Sequence, residues 1–518
     1  MTTVWERHTR RAQSGWEPHV SARAGRRDPV TRPTVLDADK GVPMRLRPRT
    51  TTLLVSLSTA AALWLQVAPA SAHPGGVGHG PGPVHRPCTA SDRVTVPGAE
   101  RADTACLPDI TTAGLLTAEP GQYTDVTDWS TLSAPGTVNP TGVRGLQVDG
   151  YFPDTSVFNT THGWNHDSQF VLRIPDDWNG GLVVTGAPGT RKQYSSDFLI
   201  SDFVLAQGFA YASTDKGNNS PDFYRDGTQP GDAVAEWHER VTQLAVAAKA
   251  ALRDRFGHKP DRTYMAGISN GGYLVRWQLE NRPGLYDGGV DWEGTLFTPD
   301  GPNLFTYLPT AVRYTFGDAT KEEMYAAGFA RGSEKLWPYH QSYYWGLTQK
   351  IYRAEFDPDY DPACPGATAL TADLFTPCRS DEAYDDWFAS PASQPAHDAL
   401  ARISLTGKIK RPLLTLHGTL DTLLPISTDS DVYAEMVADQ HRDRLHRYYR
   451  IEGGNHVDSL MALDPDHLRP MLPCFRTAFD ALTAWVEDGQ EPPASTTVPR
   501  PEGNGASDPA LLNTCSLN

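Results

Sequence analysis

The stretch Thr263–Tyr273 of this 518-residue chain reads TYMAGISNGGY and contains Gly267-Ile268-Ser269-Asn270-Gly271, a G-x-S-x-G pattern. A serine hydroxyl is a weak nucleophile until a base takes its proton and a carboxylate orients that base. Both partners follow in the order Ser, Asp, His. Asp421 ends the run His417-Gly418-Thr419-Leu420-Asp421, and His456 ends Gly453-Gly454-Asn455-His456. A histidine on a glycine loop just past a strand end can swing over the serine. Together the three can do acyl transfer: attack on a carbonyl carbon, a covalent acyl intermediate, then its hydrolysis. The acid has an alternative in Asp291 or Glu293, near the end of Gly288–Glu293. His417, inside the His-Gly turn, is assigned to packing.

A developing oxyanion needs two N–H donors. The first expected donor is the N–H of Asn270, directly after the serine. The second is expected in Gly186-Ala187-Pro188-Gly189. Proline has no N–H, so Ala187 is chosen, with Gly189 as the fallback. No metal site and no cofactor are expected. Asp357, Asp359 and Asp361 imitate the start of a calcium loop, but Pro362 stands where that loop needs glycine. No C-x-x-C occurs. The histidines at 73, 79 and 85 lie in a Gly/Pro-rich stretch with no framework to hold an ion.

These residues need a scaffold that presents strand ends. Short apolar runs at 145–152, 169–174, 182–185, 209–214, 263–266, 288–293, 413–417 and 447–451 read as eight strands. Helical spacing covers 196–207, the long run 231–256, the segment after Ser269, and 476–486. This alternation predicts an α/β fold with a doubly wound, mostly parallel eight-stranded sheet and the serine after the fifth strand. Strand, tight turn and helix around Ser269 are the context of a nucleophile elbow, whose flanking positions must be small.

Residues 296–408 break the rhythm. They are rich in aromatics, including Phe305, Tyr307, Tyr314, Trp337, Tyr339, Tyr343, Tyr344, Trp345 and Tyr352. They are expected to form an inserted cap over the serine, set into a core of 88–295 and 409–518.

Gly267–Gly271, the HGTLD run ending at Asp421 and the GGNH run ending at His456 resemble the α/β-hydrolase fold superfamily over about 140 to 490. The GxSNGG form is similar to extracellular serine esterases: polyhydroxybutyrate depolymerases, hydroxybutyrate-oligomer hydrolases and feruloyl-esterase-like enzymes. Tannase-type esterases carry cysteine directly before the serine. Ile268 occupies that place here, which sets the tannase subgroup aside. The resemblance implies Ser269 as nucleophile, Asp421 as orienting acid and His456 as general base. It implies a secreted carboxylic-ester hydrolase acting on a small-molecule or oligomeric ester. A serine peptidase of the same fold keeps the triad and would draw an acidic patch from Glu293 or Asp300. A non-catalytic binding protein of this fold would be expected to lose a triad member, and none is lost.

Charge and leader fit export. Residues 1–72 hold 11 Lys/Arg against 5 Asp/Glu, and the whole chain carries −16, leaving −22 on 73–518. So acidic a surface excludes nucleic acid and anionic membranes as expected partners. Met44–Arg49 is a basic n-region, Leu53–Val67 an apolar h-region, and Ala70-Ser71-Ala72 an A-x-A cleavage site. Residues 44–72 therefore read as a signal peptide, 1–43 as an over-long start or extended n-region, and 73–87 as a linker. Cys88 with Cys106, Cys364 with Cys378, and Cys474 with Cys515 are the favoured disulfide pairs, since neighbours close the shortest loops.

Overall fold

The computed structural model describes residues 89–116, 124–154, 162–362, 384–503 and 508–518, all within the compact unit His79–Asn518. The leader, the linker histidines, Cys88, Cys364 and Cys378 lie outside the described residues.

One sheet of ten strands runs through the molecule. The strands are β1 (Arg101–Leu107), β2 (Gly145–Phe152), β3 (Ser168–Pro175), β4 (Gly181–Gly186), β5 (Ala210–Thr214), β6 (Arg262–Ile268), β7 (Gly288–Trp292), β8 (Leu413–Gly418), β9 (His446–Ile451) and β10 (Thr496–Val498). Their spatial order is β1-β2-β3-β5-β4-β6-β7-β8-β9-β10. The pairs β1/β2, β2/β3 and β3/β5 are antiparallel, and every later pair is parallel. The eight expected strands are all present as β2–β9. Two edge strands, β1 and β10, extend the sheet to ten.

The central strands read as unbroken apolar runs because both faces are covered. Side chains alternate between two cores. Leu182, Val184, Met265 and Leu413 enter one core, with Trp237, Val241 and Leu244 of α1 (Asp232–Phe256) and Leu274 and Leu279 of α2 (Asn270–Asn281). Val183, Tyr264, Ala266, Leu414 and Leu416 enter the other, which includes Phe475, Phe479 and Leu482.

The chain leaves β4 to one side to form β5, then crosses to the other side to form β6. Where strand order reverses, the loops at the carboxyl ends diverge and open a crevice, the usual ligand position in such sheets. Here that crevice falls between the loop after β4 and the serine turn after β6.

Between β7 and β8 lies the helical insertion, whose longest described helices are α3 (Leu304–Phe316) and α4 (Trp345–Phe356). It does not keep a separate core. Phe297, Phe305, Trp345 and Phe356 belong to the same cluster as Met265, Leu274 and Leu413 of the sheet and α2. The Tyr273 hydroxyl donates to the Ile403 carbonyl at 2.6 Å, and Glu280 accepts the N–H groups of Thr406 and Gly407, each at 2.9 Å. After β9 the chain closes with α5 (Leu472–Asp488), to which the Cys474–Cys515 disulfide ties the final residues. Cys106 is also disulfide-bonded.

Candidate active site

The serine turn is built by steric exclusion. Ser269 sits at φ 60°, ψ −124°, a strained backbone for a residue with a Cβ. A Cβ on Gly267 would lie 2.3 Å from the Gly271 carbonyl oxygen, and one on Gly271 would lie 2.5 Å from the Gly186 carbonyl oxygen. Only glycine fits at either position. Gly272, whose added Cβ would meet the Gly294 Cα at 2.6 Å, lets α2 approach the end of β7. Asn270 opens α2, so its N–H has no acceptor one turn back within that helix. Its side chain is pinned: Nδ2 donates to the Tyr352 hydroxyl at 2.7 Å, and Oδ1 accepts from Thr295 Oγ1 at 3.0 Å.

Asp421 and His456 come from the loops after β8 and β9. Asp421 Oδ1 accepts the N–H groups of Leu423 (2.8 Å) and Leu424 (2.9 Å), which fixes its carboxylate plane. Its Oδ2 lies 2.7 Å from His456 Nδ1 and 3.3 Å from His417 Nε2. Burial alone would raise this carboxyl. The two imidazoles outweigh it and hold Asp421 well below the usual carboxylate range. His417 is fully buried, bonded to Ser430 and to the Leu424 carbonyl as well.

The two alternative acids part company. Asp291 is committed to the buried guanidinium of Arg276 at 2.6 Å, to Thr415 and to the Gly294 N–H. Glu293 instead lies beside the histidine, with Oε2 3.4 Å from His456 Nδ1. Burial, and then the Asp421 charge, push the Glu293 carboxyl far above its usual range.

The oxyanion assignment needs correction. The Ala187 N–H is spent on the Thr214 carbonyl at 3.0 Å, one rung beyond the β4/β5 ladder, and Ala187 is fully buried. Gly189, the fallback, lines the cavity beside Ser269 at φ +50° with open space where a Cβ would stand. Lys216 holds this loop from behind: its Nζ donates to the carbonyls of Ala187 (2.8 Å) and Gly189 (3.1 Å). Burial lowers Lys216 to about 8. No sequence motif marked Lys216 for this task. Nor did any mark His340, whose buried, neutral ring faces Asp421 and His456 from the insertion.

Ser269, Asn270 and His456 share a cavity of about 350 Å³ with Leu132, Arg191, Leu304, Tyr307, Tyr344, Leu347, Ile351 and Tyr352. Of the aromatics expected to wall the site, Tyr307, Tyr344 and Tyr352 line it, while Trp337 and Trp345 are core residues. No carboxylate lines the cavity, and Arg191 is its one permanent cation among the described residues. A larger hollow of about 840 Å³ near Asp103, Trp164 and Gln193 is lined by no serine, cysteine or histidine among the described residues. In the acidic loop, Asp357 pairs with Arg353 at 3.3 Å.

A doubly wound sheet with a strained serine turn after β6, an aspartate after β8 and a histidine after β9 defines an α/β-hydrolase fold. Residues 155–291 match the family described as tannase and feruloyl esterase, and residues 376–515 match the 3HB-oligomer hydrolase family. Mono(2-hydroxyethyl) terephthalate hydrolase from Piscinibacter sakaiensis is 29% identical over 140 residues, which is 24% of this chain and 23% of that protein. The match thus spans about a quarter of that relative's length. Among solved structures, feruloyl esterase B from Aspergillus oryzae aligns over 77% of this chain and 89% of its own, at 14% identity and TM-score 0.45. Tannin acyl hydrolase from Aspergillus niger aligns over 75% and 83%, at 13% identity and TM-score 0.44. The fold is that of α/β-hydrolases, and the sequence is similar to these esterase families over residues 155–291 and 376–515. The tannase match includes Ser269, so Ile268 in place of cysteine does not set that family aside.

Proposed function

We propose that the protein is a secreted serine hydrolase that cleaves carboxylic esters through an acyl-enzyme. The observation that carries this reading is the 2.7 Å contact of Asp421 with Nδ1 of His456, the histidine that lines the same cavity as the strained Ser269. Asp421 fixes the tautomer that leaves His456 Nε2 free to accept a proton. Nε2 takes the Ser269 hydroxyl proton as Oγ attacks the ester carbonyl carbon. The N–H groups of Asn270 and Gly189 stabilise the oxyanion. The bond to the alkoxy oxygen breaks, and His456 returns the proton to the departing alcohol. Water, activated by the same histidine, then releases the carboxylic acid.

Substrate class follows from the walls. Leu132, Leu304, Leu347 and Ile351 favour apolar acyl chains or rings. The families matched are named for tannin, feruloyl and hydroxybutyrate esters, and the curated relative for a terephthalate monoester. Soluble esters of aromatic or short hydroxy acids are the substrates proposed, with the insertion as a lid. Against the peptidase alternative, neither of its candidate acids lines the described cavity: Glu293 is buried beside His456, and Asp300 bonds His397. Secretion is supported by the Cys474–Cys515 disulfide, of a kind that persists in oxidising compartments.

The test is a panel of nitrophenyl esters, hydroxyalkanoate oligomers and peptide anilides, with fluorophosphonate labelling of wild type and Ser269→Ala. Ester turnover with labelling confined to wild type is expected. Anilide turnover without esterase activity, or labelling of the variant, overturns the reading.

A further inference from the structure

His456 Nδ1 faces two carboxyl groups, not one. Asp421 Oδ2 is at 2.7 Å and Glu293 Oε2 at 3.4 Å. Glu293 is fully buried, and its Oε2 makes no hydrogen bond, being near Nδ1 but poorly aligned with it. A buried acceptor left open is costly unless it has a use. The placement is also enforced. Glu293 adopts φ +51°, left-handed for a non-glycine residue, its N–H donates to the Leu416 carbonyl at 2.8 Å, and its Oε1 accepts the Gly418 N–H at 2.7 Å. With Oε1 held by β8, Oε2 is the oxygen turned to the histidine.

We propose that Glu293 is a second orienting acid for His456, a positioning residue that stands behind Asp421 and takes over Nδ1 when Asp421 cannot hold it. The inference rests on the triad reading above. Ligand atoms of the two carboxyls and His456 all lie within 4.8 Å of one another. Two carboxylates that close do not both ionise, so one keeps a proton. Asp421 has two N–H donors and two imidazoles and takes the charge. Glu293 has one N–H donor and stays neutral. The groups facing it are Asp421 from the β8 side, itself held by His417; His456 and Asp458 from the loop after β9; and Asp291 on β7, already paired with Arg276. His340 faces Asp421 and His456 from the insertion. Remove the Asp421 charge, and Glu293 loses its main electrostatic opponent. It then ionises and accepts the hydrogen bond from Nδ1–H in the old acid's place.

The experiment measures kcat and KM on a soluble nitrophenyl ester from pH 5 to 10, for Asp421→Asn, Glu293→Gln and the double variant, with Ser269→Ala and His456→Ala as controls. A triad with no substitute acid loses about 10⁴ in kcat on the Asp→Asn change. Here Asp421→Asn should lose only about a hundredfold at alkaline pH, with kcat climbing as pH rises and Glu293 ionises. Glu293→Gln alone should lower kcat a few-fold with KM unchanged. The double variant should fall roughly another hundredfold and lose the rising limb, again at constant KM. Equal kcat and parallel pH profiles for Asp421→Asn and the double variant, with both controls inactive, overturn the role of Glu293 alone. An active Ser269→Ala or His456→Ala overturns the triad instead. Should the double variant not fold, the downfield Nδ1 proton resonance of Asp421→Asn decides: a shift that titrates with pH supports the proposal, and a pH-independent one overturns it.

Discussion

Gly418 and Gly454 touch. A Cβ on Gly418 would lie 2.3 Å from the Gly454 carbonyl carbon and 2.7 Å from the Asn455 nitrogen. This contact sets the separation of the two loops that carry Asp421 and His456. Gly418→Ala should force the loops apart. A misplacement of about 1 Å costs on the order of a hundredfold in rate, and overpacking costs about 1–3 kcal/mol of stability. Kinetics and thermal unfolding of the variant check both; wild-type kcat would show that the loops are spaced by something else.

Ser269 and His456 act as one unit in the proposed mechanism. Ser269→Ala and His456→Ala should each lower kcat by on the order of 10⁴ or more, and the double variant should be hardly worse. Additive losses, read from the four-member cycle on one ester, would separate the two roles.

Among the described residues, Arg191 is the single permanent cation lining the cavity, and no carboxylate lines it. Arg191 is anchored by donating to the Asp128 carbonyl and to Thr131. Esters bearing a free carboxylate should therefore be cleaved ahead of matched cationic esters. Arg191→Gln should narrow that preference about tenfold in kcat/KM, an effect of a size common for one exposed charge–charge contact at low salt. Unchanged preference in the variant would move recognition elsewhere.

Stability should depend on pH through buried acids. Burial raises Asp149 and Asp202 to about 7, and neither makes an ion pair among the described residues. Between the unfolded carboxyl range and pH 7 the folded state holds protons that the unfolded state has released. Stability is then full below about pH 4 for these groups and is lost as pH rises through 7. The unfolding temperature should be several degrees higher at pH 5 than at pH 8, and Asp149→Asn should flatten the difference. A rise in unfolding temperature from pH 5 to pH 8 would contradict it.

The central strands were legible because a parallel strand buried on both faces leaves an unbroken apolar run, as in Leu182–Val184 or Leu413–Leu416. β1 was not, because its half-exposed RADTACL run has no apolar stripe, and β10 is three residues long. Ser269, Asp421 and His456, the residues proposed to be catalytic, could be singled out because each sits at a strand end in a glycine-marked turn. The error at Ala187 has a plain cause: which N–H groups a ladder consumes depends on β4/β5 register, and no residue type reports register. The proximity of Glu293 to His456 is of the same kind, since it depends on how the chain after β7 and after β9 folds over the end of β8, which no residue type reports. The insertion was legible as a break in rhythm, but not the division of its aromatics between wall and core.

The joint core of insertion and sheet bears on how such a protein can acquire new substrates. Phe297, Phe305, Trp345 and Phe356 pack in the same cluster as Met265 and Leu413. Deleting the cover would strip the sheet of a packed layer, so the site cannot be laid open by truncation. Change has to come one side chain at a time, at positions such as Leu347, Thr348 and Tyr344 that border the cavity without belonging to the buried core. Selection for bulkier esters, in nature or in the laboratory, should accumulate its mutations there.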